Sequence, residues 1–103
     1  MPAGRHNRLV KSEPGVDAAL AKSPAVVRLW FKEAAELAVS SIRLADAAAT
    51  PIATGAVRAT DDKTSIAVTV SAPLLPGQYT VTWKTAGPDG HVIRGSFGFT
   101  VGS

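Results

Sequence analysis

Apolar and polar side chains alternate along most of this chain. Val27, Leu29 and Phe31 alternate with Arg28 and Trp30, and Ile42 and Leu44 flank Arg43. Ile66, Val68 and Val70 flank Ala67 and Thr69, Tyr79, Val81 and Trp83 flank Thr80 and Thr82, and Phe97, Phe99 and Val101 flank Gly98 and Thr100. A period of two puts each apolar set on one face of a strand. Residues 52–60 read as a weaker strand centred on Val57, and the arm around Leu9 as a further one. Pro14-Gly15, Ser23-Pro24, Asp61-Asp62, Pro76-Gly77 and Pro88-Asp89-Gly90 separate the runs with backbones suited to turns. About seven short strands at regular spacing predict an all-β fold, an antiparallel Greek-key β-barrel or immunoglobulin-like sandwich.

Two stretches, 16–21 and 32–39, are rich in Ala, Leu, Glu and Lys, which favour helix. Both are too short to be stable helices alone, so at most a helical turn is expected in each. Residues 46–51 read as a hairpin loop despite their alanines. Leu75-Pro76-Gly77-Gln78-Tyr79 matches the tyrosine corner of sandwich folds, in which the hydroxyl binds backbone just upstream. Trp30 and Trp83 read as core or subcore residues.

Composition narrows the function classes. The 103 residues make one domain, 46% hydrophobic and 18% charged, which is globular rather than disordered. A net charge of +3 falls short of the dense basic patch of a nucleic-acid binder, and Arg5, Arg8 and Lys11 read as a solvated arm. Without cysteine there are no disulfides, zinc–thiolate sites, iron–sulfur clusters or thiol catalysis. No apolar stretch approaches the roughly 20 residues that span a bilayer as a helix, so no membrane insertion is expected. Residues 1–5 carry no apolar signal-peptide region and read as an N-terminal extension or an expression remnant, with residues 6–103 as the domain proper.

The chain has two histidines, His6 and His91. Asp89 and His91 stand two apart across Gly90, so in an extended or gently turned segment they point the same way. A carboxylate beside an imidazole is either a metal pair or a carboxylate that orients a histidine. His6 lies near the opposite end of the chain, and taken alone it reads as a solvated terminal residue. If the fold unites the three, they form an N,N,O donor set suited to one divalent transition metal, Cu(II) above all. No H-E-x-x-H, P-loop, G-x-G-x-x-G or G-x-S-x-G motif is present, and the acidic pairs Asp61/Asp62 and Glu33/Glu36 lack the ligand count of a Ca²⁺ site.

The opening H-x-x-L-x-x-S-x-P, from His6 to Pro14, and the ending L-x-G-x-Y-x-V-x-W, D-G-H and G-x-F-x-F, from Leu75 to Phe99, together resemble the CopC-type copper-binding proteins of bacterial copper handling. The resemblance runs from His6 to Val101. It implies a cupredoxin-like Greek-key barrel exported to the periplasm or cell exterior. It also implies one Cu(II) per chain, held by the imidazole and α-amino group of an N-terminal His, here His6, with Asp89 and His91. Some members add a Met-rich Cu(I) segment; here the only methionine is Met1, so no dedicated Cu(I) site is expected. His6 is preceded by five residues, so the amine ligand requires a mature chain that starts at His6.

The implied function is Cu(II) sequestration or delivery in copper homeostasis and resistance, by a monomer that is not an enzyme. Its partners would be the copper ion and a membrane copper transporter or another copper carrier. A metal-free immunoglobulin-like interaction module accounts for the strands and Tyr79 equally well, but gives no reason for His6 and the D-G-H turn to occur together. An oxidative copper enzyme of the copper-brace type is disfavoured. The chain is short for a substrate face, and Asp89 would fill an equatorial position otherwise open to oxygen.

Overall fold

The computed structural model describes residues 7–102. Nine strands are found among them: β1 (Leu9–Glu13), β2 (Ala19–Leu20), β3 (Val26–Phe31), β4 (Ser41–Asp46), β5 (Pro51–Ile52), β6 (Arg58–Ala59), β7 (Ser65–Thr69), β8 (Gly77–Ala86) and β9 (Val92–Val101). They form two open sheets, one ordered β1-β3-β7-β6 and the other β2-β9-β8-β4-β5. The expected all-β sandwich is therefore found, but as two facing sheets rather than a closed barrel. All pairings are antiparallel except β2 with β9, which run parallel through Ala19–Thr100 and Leu20–Val101.

The higher strand count has local causes. The weak 52–60 run splits into β5, an isolated bridge between Thr54 and Val70, and β6. The 16–21 stretch, expected to make at most a helical turn, supplies β2 instead. Asp17 takes a φ of 59° and its N–H donates to Gly98 O, so the chain enters beside β9 rather than coiling. At 32–39 the single 3₁₀ turn, Leu37–Val39, matches expectation. The 46–51 hairpin loop also forms, with Asp46 Oδ1 accepting from the Ala48 and Thr50 amides at 2.9 Å each. The arm around Leu9 is β1.

The inward positions are those marked by the period of two. Val27, Leu29, Phe31, Ile42, Leu44, Ile66, Val68, Tyr79, Val81, Trp83, Phe97, Phe99 and Val101 are buried together between the sheets. Phe31 meets Trp83 across the sandwich edge-to-face, with ring centroids 5.3 Å apart. At the far end Tyr79 stacks on its cross-strand partner Phe99 at 5.7 Å and donates its hydroxyl to Leu75 O at 2.6 Å, which completes the tyrosine corner. Trp30 points to the outer face of the first sheet, half-buried between Lys11 Nζ and the Arg28 guanidinium at 4.6 and 4.5 Å from its ring. Lys11 is thus docked on an aromatic rather than merely solvated. Arg5 lies outside the described residues.

In the β6–β7 turn, Asp62 Oδ1 accepts from the Thr64 hydroxyl at 2.7 Å and the Thr64 amide at 2.9 Å. These bonds, hydroxyl first, hold the carboxyl below its ordinary pKa, with a smaller contribution from Arg28. A carboxylate depressed in the folded state stabilises fully above its unfolded value of about 3.9 and loses that contribution as pH falls through the lower folded value. Thr64→Val should move the Asp62 titration upward toward the ordinary carboxylate range, measured by NMR on the carboxyl carbon. An unchanged titration would refute the hydroxyl's role.

Gly95 sits opposite Trp83 in the β8–β9 pair, and a Cβ there would lie 2.6 Å from the indole Cζ2. Only glycine lets the ring lie over the neighbouring strand. Gly95→Ala is expected to destabilise the fold by about 1–3 kcal/mol through overpacking, read by urea unfolding with tryptophan fluorescence.

Candidate metal centre

β8 and β9 are long and paired without a break from Gly77–Val101 to Ala86–Val92. Their connection therefore projects from one end of the sandwich on a rigid ribbon. It is a tight turn in which the Gly90 amide donates to Gly87 O at 2.9 Å. Pro88 fits the fixed φ of such a turn, and Gly90 takes the left-handed φ of 79° that brings the chain back into β9.

That turn aims two side chains at one point. Asp89 Oδ1 accepts from the His91 amide at 3.0 Å, and Asp89 Oδ2 lies 3.1 Å from His91 Nδ1. The His91 side chain is 65% exposed and that of Asp89 24% exposed, so the pair is open to solvent while the carboxylate is partly walled in. The carboxylate fixes the ring orientation, as second groups around metal-binding histidines do. The alternation expected at i and i+2 is thus observed. The third residue of the expected set, His6, lies outside the described residues. Among those residues no cluster of three or more His, Cys, Asp or Glu side chains forms.

The residue that ties the chain's beginning to this turn is Asn7, to which sequence reasoning gave no role. It is only 3% exposed. Its Oδ1 accepts from the Glu33 amide at 2.7 Å and the Arg8 amide at 3.0 Å. Its Nδ2 donates to Glu33 O at 3.2 Å and Ala34 O at 3.4 Å. Backbone amides only donate and carbonyls only accept, so this environment forces the amide orientation. The side chain behaves as an extra peptide unit laid against the loop after β3. On its other side Asn7 packs against Gly87, the first residue of the turn, where a Cβ would stand 2.9 Å from that of Asn7.

The 32–40 loop completes this end of the sandwich. The Glu36 amide donates to Ala86 O at 2.9 Å. Ser40 spends its one proton on Glu36 O at 2.6 Å and so accepts from the fully buried Thr85 hydroxyl at 2.7 Å. Asn7, the 32–40 loop and the turn are thereby locked to one another through polar groups that are satisfied and largely dry. A polar residue before the first apolar run is a faint signal for Asn7; only the contact with Gly87 gives it meaning.

An all-β two-sheet sandwich that presents an ordered carboxylate–imidazole pair at one end, with its N-terminal arm clamped to the same end, is the class of protein defined by these features. A model of the CopC domain matches residues 9–102, and the chain belongs to that family. It is 33% identical to copper resistance protein C of Xanthomonas campestris pv. juglandis, an alignment that covers 93% of this chain and 80% of that protein. Among solved structures it resembles CopC from Methylosinus trichosporium OB3b with a TM-score of 0.87 and 30% identity, covering 94% of each chain. It also resembles PcoC, a methionine-rich copper resistance protein from Escherichia coli, with a TM-score of 0.85 and 31% identity, covering 93% of this chain and 98% of that one.

Asn7→Ala would remove the side-chain partners of the part-buried Glu33 amide and carbonyl and the Ala34 carbonyl. It should cost about 1–3 kcal/mol of stability and remove the exchange protection of the Glu33 amide. Retained protection at that amide would show that the clamp is not needed.

Proposed function

We propose that this protein binds one Cu(II) ion through His6, Asp89 and His91 and serves copper sequestration or delivery in copper resistance, outside the cytoplasm. The observation that carries the reading is the contact between Asn7 and Gly87. Asn7, the next residue in sequence after His6, is held against the first residue of the turn that carries Asp89 and His91. Four side-chain hydrogen bonds keep it there.

The donor chemistry supports copper. Two nitrogen or oxygen ligands at about 2.0–2.1 Å from a metal and at right angles are about 2.9 Å apart. His91 Nδ1 and Asp89 Oδ2, 3.1 Å apart, have nearly that spacing. A cation could be held by both atoms when Nδ1 carries no proton. When Nδ1 donates to Asp89, the ring presents Nε2 to the ion instead. Both arrangements give hard-to-borderline N,O donors that suit tetragonal Cu(II). The chain has no cysteine and its one methionine is Met1, unlike the methionine-rich relative, so soft donors for Cu(I) are lacking. The role is that of a carrier, in which the chain holds and releases an ion without chemical turnover. Exposure of His91 to solvent allows the ion to be exchanged with a transporter or a second carrier.

Four measurements test this. Titration of the chain with one equivalent of Cu(II), followed by electron paramagnetic resonance, should show two imidazole nitrogens. His91→Ala should weaken binding by at least about tenfold; parent-like affinity would remove His91 from the site. Imidazole ligates only as the neutral base, so affinity should fall steeply between about pH 7 and about pH 5. Equal affinity at the two pH values would exclude histidine ligation. A chain beginning at His6 should bind more tightly than one with residues 1–5, because its α-amine becomes a ligand.

A further inference from the structure

β9 is an unusually open edge. Its inner side is paired with β8 along its whole length, but its outer side meets β2 only at Thr100 and Val101. The hydrogen bonds at that end fix the direction of the rest. Gly98 O accepts from Asp17, and the Thr100 amide donates to Ala18 O, both away from β8. Strand alternation then turns the N–H and C=O of Val92, Arg94 and Ser96 the same way. None of these six groups has a strand partner among the described residues. They lie directly after His91.

The face beside this edge carries an unbalanced charge. Lys84 on β8 stands opposite Arg94 on β9, and Arg43 on β4 pairs with Thr82, one step along the same face from Lys84. Like charges directly opposite each other destabilise a sheet. Among the described residues no carboxylate forms an ion pair with any of the three. Val92, 50% exposed, extends the edge toward the turn. A second copy of this chain is a poor occupant, because antiparallel pairing of two β9 edges would bring Arg94 and its symmetry mate close together.

We propose that the outer edge of β9, residues 92–96, with the Arg43–Lys84–Arg94 face, docks an extended acidic segment of another protein by strand addition. The main chain of that segment pairs with Val92, Arg94 and Ser96, and its alternate carboxylates lie over Lys84 and Arg94. The inference does not depend on metal binding, and its test uses the metal-free chain.

The probe is an alternating Glu–Val decapeptide, followed by amide NMR shifts and hydrogen exchange. Shifts and slowed exchange at residues 92, 94 and 96 are expected. A Glu–Val decapeptide N-methylated at every residue, equally charged but without amide donors, should bind about tenfold more weakly, as should a Lys–Val decapeptide to the parent. Arg94→Glu should weaken binding about tenfold. Lys84→Glu should do the same while raising the thermal midpoint, because it replaces a cross-strand repulsion with an attraction; this separates lost docking from lost folding. No shift along β9, equal binding of the N-methylated peptide, or shifts confined to the Lys11–Trp30 face would each overturn the proposal. So would binding of phosphatidylglycerol vesicles through Lys84 and Arg94 with no binding of the Glu–Val peptide.

Discussion

The side-chain amide of Asn7 holds together the end of the sandwich that carries Asp89 and His91. It offers the same donor and acceptor as a peptide group, and it gives them to the main chain after β3 where no strand partner is available. Asn7 itself is buried, and its four part-buried bonds hold its amide in one orientation. Gly87 is the matching half of the constraint. Its missing side chain is the space into which Asn7 fits. Around this contact the Ser40–Thr85–Glu36 chain of hydroxyls and carbonyl closes the remaining gap between loop and sheet.

The core and the Asp89–His91 turn are coupled by the β8–β9 ribbon. Trp83 lies over Gly95 and against Phe31, so ring packing fixes how the ribbon leaves the sandwich. Two residues beyond Trp83, Thr85 is buried, and beyond it Ala86 and Gly87 remain buried up to the turn. Asp89 and His91 are therefore exposed groups on a base that is not free to move. For the proposed ion carrier, access with donors already oriented would lower the ordering cost of binding. The chain belongs to the CopC family, and its carboxylate–imidazole pair and clamped N-terminal arm share one end of the sandwich.

Much of this was legible in the residues. The strands β3, β4, β7, β8 and β9 follow from a period of two, and Tyr79 and the Gly90 turn follow from local chemistry confined to a few positions. Asp89 and His91 were brought together by a separation of two, which a turn or strand converts into shared direction. The less regular segments were not legible. The 16–21 stretch has helix-forming residues, yet the parallel contact with β9 outweighs their small preference. The region 52–60 breaks because the short β5 and β6 belong to different sheets.

The sequence by itself determined which residues alternate, where the chain turns, and which side chains have donor atoms for a metal. These properties are local, set by backbone geometry over two to four residues. The tertiary structure alone decided that Asn7 meets Gly87, that Lys84 faces Arg94, and that β9 keeps an open outer edge. The Asn7–Gly87 contact and the open edge depend on how distant segments are ordered in the two sheets, and the Lys84–Arg94 pair on the register of the β8–β9 hairpin; the period of two along the chain encodes neither.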